Sequence, residues 1–281
     1  MNIGISLPAA IPGVQAKTLI EWARRSEECG FSNVSILDRL VFNNYEALTT
    51  LAAAAAVTQR VRLVTAVLLA PLHTNVALLA KQAATIDSLS GGRLVLGMGV
   101  GNREDDYIAG GADFRHRGRF MDRQIGEIRR IWSGEGGIGP PVRPGGPDIM
   151  IGGRSEAALR RAGRLGDGWI AGGGGPEPFK SGSEAVKAEW KAAGRSGRPR
   201  FIASARFALG PNAREQAEAS HLAYYPSGAG RATDPTGNAL MTPDAIKQVI
   251  AEFEPLGCDA FIFGPGVGDL GQVEALAKIV F

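Results

Sequence analysis

The stretch EECGFSNVSIL at residues 27–37 decides the fold, because its order of features returns in GRLGDGWIAG at 163–172 and in EPLGCDAFIFG at 254–264. Each stretch shows the end of a helix, a glycine, a polar or small residue, and then a hydrophobic strand. Glycine readily adopts the left-handed conformation that follows the last turn of a helix. Three copies of one helix-to-strand corner, spread over the chain, predict a single repeating architecture.

Outward from these corners, short runs rich in Val, Ile and Leu alternate with longer stretches of helical period, which is typical of parallel strands covered by crossover helices. Strands are predicted at 2–7, 33–37, 61–69, 93–100, 148–152, 168–171, 200–209 and 260–264. Helices are predicted near 16–29, 46–58, 76–89, 118–132, 155–165, 180–193, 212–221, 243–255 and 270–280. This alternation predicts an α/β protein, a (β/α)8 TIM barrel with short insertions in loops that forms one domain over residues 1–281. A doubly wound open sheet is the alternative.

Three irregular segments interrupt the regular alternation. Residues 101–118 extend the loop after the fourth strand, SGEGGIGPPVRPGGP at 133–147 is rich in Gly and Pro, and residues 224–241 precede the last unit. Long loops in a compact domain are commonly functional. We therefore expect all three to cover the mouth of the barrel, where they would select the substrate.

The composition and charge of the chain limit the kinds of molecule with which the protein is expected to interact. The 31 basic residues exceed the 28 acidic residues by only three, which gives no reason to expect a nucleic-acid partner. No apolar run reaches the 18 or so residues of a membrane span, and the chain opens on an apparent strand without a signal-peptide pattern. The two cysteines, Cys29 and Cys258, do not suggest a disulfide framework. We expect a cytoplasmic protein that acts on a small molecule.

The residues that follow the predicted strands are mostly glycine and other small residues, which suits a large flat ligand that approaches the backbone closely. The stretch LGMGVGN at 96–102 superficially matches a dinucleotide fingerprint, but its third glycine is replaced by Asn102. The three histidines show no paired spacing, so we expect no metal site. They are His73, His116 and His221.

The stretch IGGRSEAALRRAGRLGDGWI at 151–170 contains a more specific feature. A strand runs into Gly152 and Gly153, and a helix opens at Ser155 with Glu156 in its first turn. The exposed amides of a helix N-terminus, reached through glycines, form an anion site suited to phosphate. An ordinary turn with Ser155 as the N-cap explains the same residues, and the spacing leaves both interpretations open.

Residues 61–132, above all KQAATIDSLSGGRLVLGMGVG at 81–101, closely resemble the central block of the bacterial luciferase-like oxidoreductases, which use flavin or deazaflavin. The stretches NIGISLP at 2–8, CGFSNVSILDRL at 29–40 and IGGRSEAALRRAGRLGDGWIAG at 151–172 resemble the same family in the right order. The resemblance covers nearly the whole chain. It implies a (β/α)8 barrel with coenzyme F420 or FMN at the C-terminal mouth, and a homodimer.

The resemblance also implies roles for single residues. The third strand of the family carries a bulge, often with a non-proline cis peptide, that backs the central ring of the cofactor. Two further segments line that ring or hold the phosphate. The cofactor-binding residues predicted in this way are Thr65, Ala66, Val67, Val100, Gly101, Asn102, Gly152, Gly153, Arg154 and Gly172.

One departure from the family affects the predicted chemistry. Many deazaflavin-dependent members carry Asp-His after the second strand, where this chain has Asp38 and Arg39. Histidine exchanges a proton near neutral pH, whereas arginine stays charged and can only supply electrostatics or bind an acid. Asp38 and Arg39 are the predicted catalytic residues, and Asp38 either contacts the cofactor ring or pairs with Arg39.

The resemblance predicts an F420-dependent oxidoreductase that transfers hydride between C5 of the deazaflavin and a small organic substrate at the C-terminal mouth. The first alternative is an FMN-dependent monooxygenase, in which reduced flavin reacts with oxygen and a substrate. An alternative of another class is a flavin- or F420-binding protein without turnover.

Overall fold

The computed structural model describes residues 1–139, 143–225 and 234–281. Within them the strands form one closed barrel, so the predicted (β/α)8 TIM barrel is confirmed and the open sheet is wrong. All named strand pairs are parallel. The strands are β1 (Asn2–Ser6), β2 (Asn33–Ile36), β3 (Arg62–Thr65), β4 (Leu68–Leu69), β5 (Leu94–Gly99), β6 (Asp148–Gly152), β7 (Gly168–Ala171), β8 (Arg200–Phe207) and β9 (Ala260–Pro265).

The helices of these ranges cover the outside of the barrel and its C-terminal mouth. They are α1 (Ala16–Glu28), α2 (Ala47–Val57), α3 (Val76–Leu89), α4 (Glu104–Gly110), α5 (Arg117–Trp132), α6 (Glu156–Arg164), α7 (Pro176–Ala192), α8 (Ala213–Tyr224), α9 (Pro243–Phe253) and α10 (Gly271–Val280). The sequence patterns predicted all of them except α4. None of the described helices is both long and apolar enough to cross a membrane.

The third strand of the barrel is interrupted, and its two parts are β3 and β4. The nine strand segments therefore form a barrel of eight strands. β3 pairs with β5 at Leu63 and Leu94, and after a bulge β4 pairs with the same strand at Leu68 and Met98. The bulge contains a cis peptide between Ala66 and Val67, as the family resemblance implies.

Alternation along the strands creates two apolar layers. A large outer layer packs between the strands and the helices, and it includes Trp22 and Phe261. A smaller inner layer fills the barrel itself. Its buried members are Val64, Val95, Met150, Ile170, Ile202, Ala260 and Ile262.

An ion-pair group occupies the N-terminal end of the barrel. The Asp148 carboxylate contacts the guanidinium of Arg62 at 2.6 Å and also that of Arg200. Burial disfavours the charge on Asp148, but the cations Arg200, Arg143 and Arg62 together outweigh burial and hold the pKa of Asp148 below its usual value. The opposite, C-terminal end carries the cavity described below.

The structure corrects the prediction about the irregular segments. Residues 133–147 connect α5 to β6, so their described part lies at the N-terminal end of the barrel, where Arg143 contacts Asp148. The prediction that this segment covers the mouth is therefore wrong. Residues 101–118 do lie at the mouth, but they contain α4 and are not an extended loop. Part of the third segment, residues 226–233, lies outside the described residues.

The three repeated corners also differ in detail. Gly30 and Gly257 have φ values of 93° and 81°, as expected for glycine after a helix. Gly166 does not adopt the left-handed conformation. A Cβ atom at this position would lie 2.7 Å from Ile151 Cγ1, so glycine is needed there because the turn passes close to β6.

The first corner is joined to the barrel by Glu27, at the end of α1. Its carboxylate accepts hydrogen bonds from the backbone N–H groups of Gln59, Arg60 and Val61. Burial disfavours the charge, but the bonds from Arg60, Val61 and Gln59 outweigh it and hold the pKa of Glu27 below its usual value.

We expect the Glu27→Gln substitution to lower the free energy of unfolding by about 2 kcal/mol at pH 7, because one amide oxygen cannot replace a carboxylate that accepts several hydrogen bonds. A lowered pKa means that this stabilisation is present above the unfolded-state pKa of roughly 4.3 and is lost as the pH falls through the folded-state pKa. Urea unfolding at several pH values measures the difference. The exposed neighbour offers the control, since Glu28→Gln should change stability by less than about 0.5 kcal/mol.

Candidate active site

An open cavity of about 200 Å³ lies at the C-terminal mouth of the barrel. Concave sites at this face of a barrel are the usual places for small molecules and cofactors to bind. Six of the predicted site residues meet in its wall, although they come from three separate parts of the sequence. The lining residues are Leu37, Asp38, Arg39, Ala66, Val67, Leu69, Gly101, Asn102, Arg103, Asp106, Tyr224 and Tyr225.

The side chain of Val67 is wedged between two neighbouring strands. A Cβ atom at Gly99 of β5 would lie 2.6 Å from Val67 Cγ2, and one at Gly152 of β6 would lie 2.7 Å from Val67 Cγ1. Real Cβ atoms do not approach so closely, so both positions must be glycine while Val67 occupies this space. The wedge anchors the bulge that faces the cavity.

The strand before the bulge is held equally tightly. The Thr65 hydroxyl donates a 2.8 Å hydrogen bond to the carbonyl of Gly97, and a Cβ atom at Gly97 would lie 1.9 Å from the Thr65 carbonyl oxygen. Thr65 is fully buried and does not belong to the cavity lining. The structure therefore places it behind the bulge, where it supports Ala66 and Val67.

Asp38 follows β2 and lies in the cavity wall. Its Oδ2 accepts a 2.9 Å hydrogen bond from the backbone N–H of Leu69. Burial raises the pKa of Asp38, while the Leu69 N–H and the nearby His73 oppose the rise. Burial likewise lowers the pKa of His73, against the attraction of Asp38. The structure thus combines a carboxyl group whose pKa is raised by burial with an imidazole whose pKa is lowered by burial.

Arg39 does not pair with Asp38, so that interpretation of the sequence is wrong. Its Nε lies 2.7 Å from Asp106 Oδ2, and both side chains are buried. The other Asp106 oxygen accepts hydrogen bonds from the backbone N–H groups of Leu40 and Val41. Arg39 therefore binds an acid, as its chemistry allows, and this contact fastens the loop after β2 to α4.

Aromatic rings from the end of α8 form another side of the cavity. The Arg39 guanidinium lies 5.5 Å from the centre of the Tyr224 ring, and the Arg103 guanidinium lies 5.7 Å from that of Tyr225. Arg103 also donates to the carbonyl of Tyr224 at 2.8 Å. These cation–π contacts join the loop after β2, α4 and α8 into one wall. The predicted site residues do not include Arg103, Asp106, Tyr224 or Tyr225.

His73 is named in the sequence predictions only as a possible metal ligand. Its position among the residues that directly follow the third predicted strand was a signal that it lies at the mouth. Val100, by contrast, is not part of the cavity lining. Its carbonyl accepts a hydrogen bond from the Tyr107 hydroxyl, and burial raises the pKa of Tyr107 to about 12.

The predicted phosphate site lies at the neighbouring strand ends. Ser155 caps α6, and its side chain accepts a 3.3 Å hydrogen bond from the N–H of Ala158. Two residues before Ser155, the carbonyl of Gly153 accepts a 2.7 Å hydrogen bond from the Trp169 indole. The helix-capping interpretation of Ser155 is thus confirmed, while the first amides of α6 still lack intrahelical acceptors.

Arg154 and Gly172 lie together in a smaller recess beside this helix terminus. The Arg154 guanidinium donates a 2.8 Å hydrogen bond to the carbonyl of Gly173. A Cβ atom at Gly172 or Gly173 would have no heavy atom within 4 Å. These glycines therefore leave open space at the mouth, unlike Gly99 and Gly152, whose missing side chains accommodate Val67.

Comparison with known proteins identifies relatives of the whole barrel. The pattern of the luciferase-like monooxygenase family matches residues 1–264. The F420-dependent glucose-6-phosphate dehydrogenase of Kribbella flavida is 30% identical over 192 residues, which cover 61% of this chain and 58% of that protein. The first mycobacterial relatives are 31% identical over 194 residues. The match spans 66% of their length, just under two thirds.

Two solved structures share the fold. The monooxygenase RslO1 from Streptomyces bottropensis superposes with a TM-score of 0.79 at 22% identity, covering 99% of this chain and 97% of that chain. An F420-dependent secondary alcohol dehydrogenase, solved with an F420–acetone adduct, gives a TM-score of 0.80 at 16% identity, covering 100% of this chain and 98% of that chain. With the family pattern spanning residues 1–264, this chain belongs to the luciferase-like monooxygenase family.

Proposed function

We propose that this protein is an F420-dependent oxidoreductase that transfers hydride between the deazaflavin and a small organic substrate at the C-terminal mouth. The observation that carries the proposal is the cavity in which Asp38 faces the bulge of Ala66 and Val67. Such a site joins a surface suited to a flat ring with a carboxyl group whose pKa is raised by burial. Relatives whose names include F420 support the choice of cofactor.

The residues present fit a flat cofactor with a phosphate-bearing tail. The ring would rest against Ala66 and Val67, with Gly101 and Asn102 beside it. The phosphate would approach Gly153 and the N-terminus of α6, through the space left open by Gly172. When bound, F420 supplies hydride chemistry at its C5 position, and the protein supplies orientation and electrostatics.

Asp38 is the residue best placed to move a proton. Reduction of a carbonyl needs a proton at the substrate oxygen, and a raised pKa increases the fraction of the carboxyl group that carries such a proton. The Leu69 N–H fixes Oδ2, which leaves Oδ1 to face a substrate. Arg39 acts indirectly, because its contact with Asp106 shapes the cavity wall around Asp38.

An FMN-dependent monooxygenase is the second candidate. The similarity to the monooxygenase RslO1 favours it, since the two chains match over almost their full lengths. Both cofactors have a flat three-ring system and a phosphate, so the shape of the cavity alone does not separate them.

Cofactor titration separates the candidates. We expect purified protein to quench or polarise the fluorescence of F420 with a dissociation constant in the micromolar range or below, corresponding to roughly 8 kcal/mol of binding free energy. FMN should bind at least about tenfold more weakly.

The opposite preference would favour the monooxygenase and overturn our choice. If both cofactors fail to bind, the protein does not use this cavity for a flavin-like cofactor. Binding of F420 without any turnover across a panel of ketones, aldehydes, enones and imines would favour the binding protein without catalysis.

A further inference from the structure

The side chain of Arg206 has a position at the mouth that the proposed hydride transfer does not explain. Phe201 and Phe207 of β8 pack in the outer layer, whereas Ile202 lies in the inner layer. Because side chains alternate along a strand, Arg206 shares the face of Ile202. Four residues at about 3.3 Å each place it roughly 13 Å nearer the mouth.

Among the described residues, no acidic side chain forms an ion pair with Arg206. Its guanidinium donates a 2.9 Å hydrogen bond to Ser220 Oγ and lies 3.3 Å from His221 Nδ1. Its buried Nε has no hydrogen-bond partner within the described residues. Residues 140–142 and 226–233, which lie outside the description, contain no Asp or Glu. Burial lowers the pKa of Arg206, as expected for a cation that no carboxylate compensates.

The residue that pairs with Arg206 on the neighbouring strand has no side chain. It is Gly264 of β9. The phenol of Tyr225 is close enough to act electrostatically on Arg206. Tyr225 and Arg103 both line the main cavity. In the described residues Arg103 has no ion pair with an acid either, so two uncompensated cations flank Tyr225.

A buried or partly buried guanidinium is costly unless an anion compensates it. Arginine is also the residue that matches the paired oxygens of carboxylate and phosphate groups. We propose that the organic substrate of this enzyme carries a carboxylate or phosphate group, and that Arg206 binds this group beside Tyr225, with Arg103 contributing from the cavity wall. This inference rests on the proposed function, since it names the substrate class of the same mouth.

The test observes Arg206 directly. The Nε–H signals of arginine side chains are recorded by NMR on the full-length protein saturated with F420, and that of Arg206 is identified by its loss in Arg206→Lys. We expect inorganic phosphate to shift this signal saturably. By calorimetry under the same conditions, Arg206→Met should lower the affinity for phosphate about tenfold or more, since a charge-assisted contact is removed.

Arg214→Met is the matched control, because Arg214 is exposed and lies on α8, the helix whose Ser220 and His221 contact Arg206. This variant should change the phosphate affinity by less than about twofold. An Arg206 signal that phosphate does not move, or equal losses in the two variants, would overturn the anion site.

Two further outcomes separate the sources of the anion. If F420 alone shifts the Arg206 signal and phosphate then adds nothing, the anion belongs to the tail of the cofactor and our assignment to the substrate is wrong. If F420 does not bind but phosphate still shifts the signal, the proposed cofactor fails while the anion site at Arg206 stands.

Discussion

Cofactor affinity is expected to fall by about 100-fold or more, or roughly 2.8 kcal/mol, when Gly172 is replaced by tryptophan. The added indole would extend into the open space at the mouth, where a Cβ atom meets no heavy atom within 4 Å. It would therefore compete with the phosphate-bearing part of the cofactor and not with the protein itself. Fluorescence titration measures the affinity, and thermal unfolding measures whether the barrel remains intact.

Gly126→Trp provides the control for this experiment. Gly126 is exposed on α5, and an added Cβ there also meets nothing within 4 Å. The control variant should bind the cofactor like the natural chain. Gly152 is a poorer site for such a test, since any side chain there collides with Val67. A Gly172→Trp variant with unchanged affinity would show that the cofactor lies elsewhere.

The second large effect is expected at Asp38. Asparagine can still accept the hydrogen bond from the Leu69 N–H, but it cannot donate or accept the catalytic proton. We expect Asp38→Asn to lower kcat by roughly 100-fold or more with any substrate that the natural enzyme reduces. The affinity for the cofactor should change little, which separates a loss of proton transfer from a damaged site.

The pH profile offers a second measurement of the same residue. A raised pKa means that Asp38 keeps its proton to a higher pH than an exposed aspartate, and the rate of reduction should decline as the pH rises through that pKa. This decline should be absent in Asp38→Asn. Asp105→Asn removes an exposed acid nearby and should retain both the rate and the pH profile. If Asp38→Asn is as active as that control, Asp38 does not transfer the proton.

The repeated corners and the strand pattern were sufficient to predict the barrel. Both are local properties of the chain, and the alternation of strand and helix recurs through its eight predicted strands. The helix α4 was missed because EDDYIAG combines three adjacent acids, which suggest a solvated loop. In the structure those acids, Glu104, Asp105 and Asp106, occupy the first turn, where the helix dipole favours negative charge.

The cavity wall was predictable only in part. Six lining residues followed from the strand ends and from the family resemblance, whereas Tyr224 and Asp106 take their roles from contacts with Arg39. Those contacts join parts of the chain that are distant in sequence, so no local pattern reports them. The same holds for Arg206, because only the three-dimensional arrangement shows that no acid of the described residues pairs with it.

The wedge of Val67 has an evolutionary consequence. Gly97, Gly99 and Gly152 are separated by up to 55 positions in the sequence, yet all three accommodate one bulged strand. A side chain at any of them collides with the bulged strand, and a straightened bulge would release Gly99 and Gly152 from the contact with Val67. These positions should therefore be inherited as a unit. In a related protein that has lost the bulge of Ala66 and Val67, these positions should diverge together.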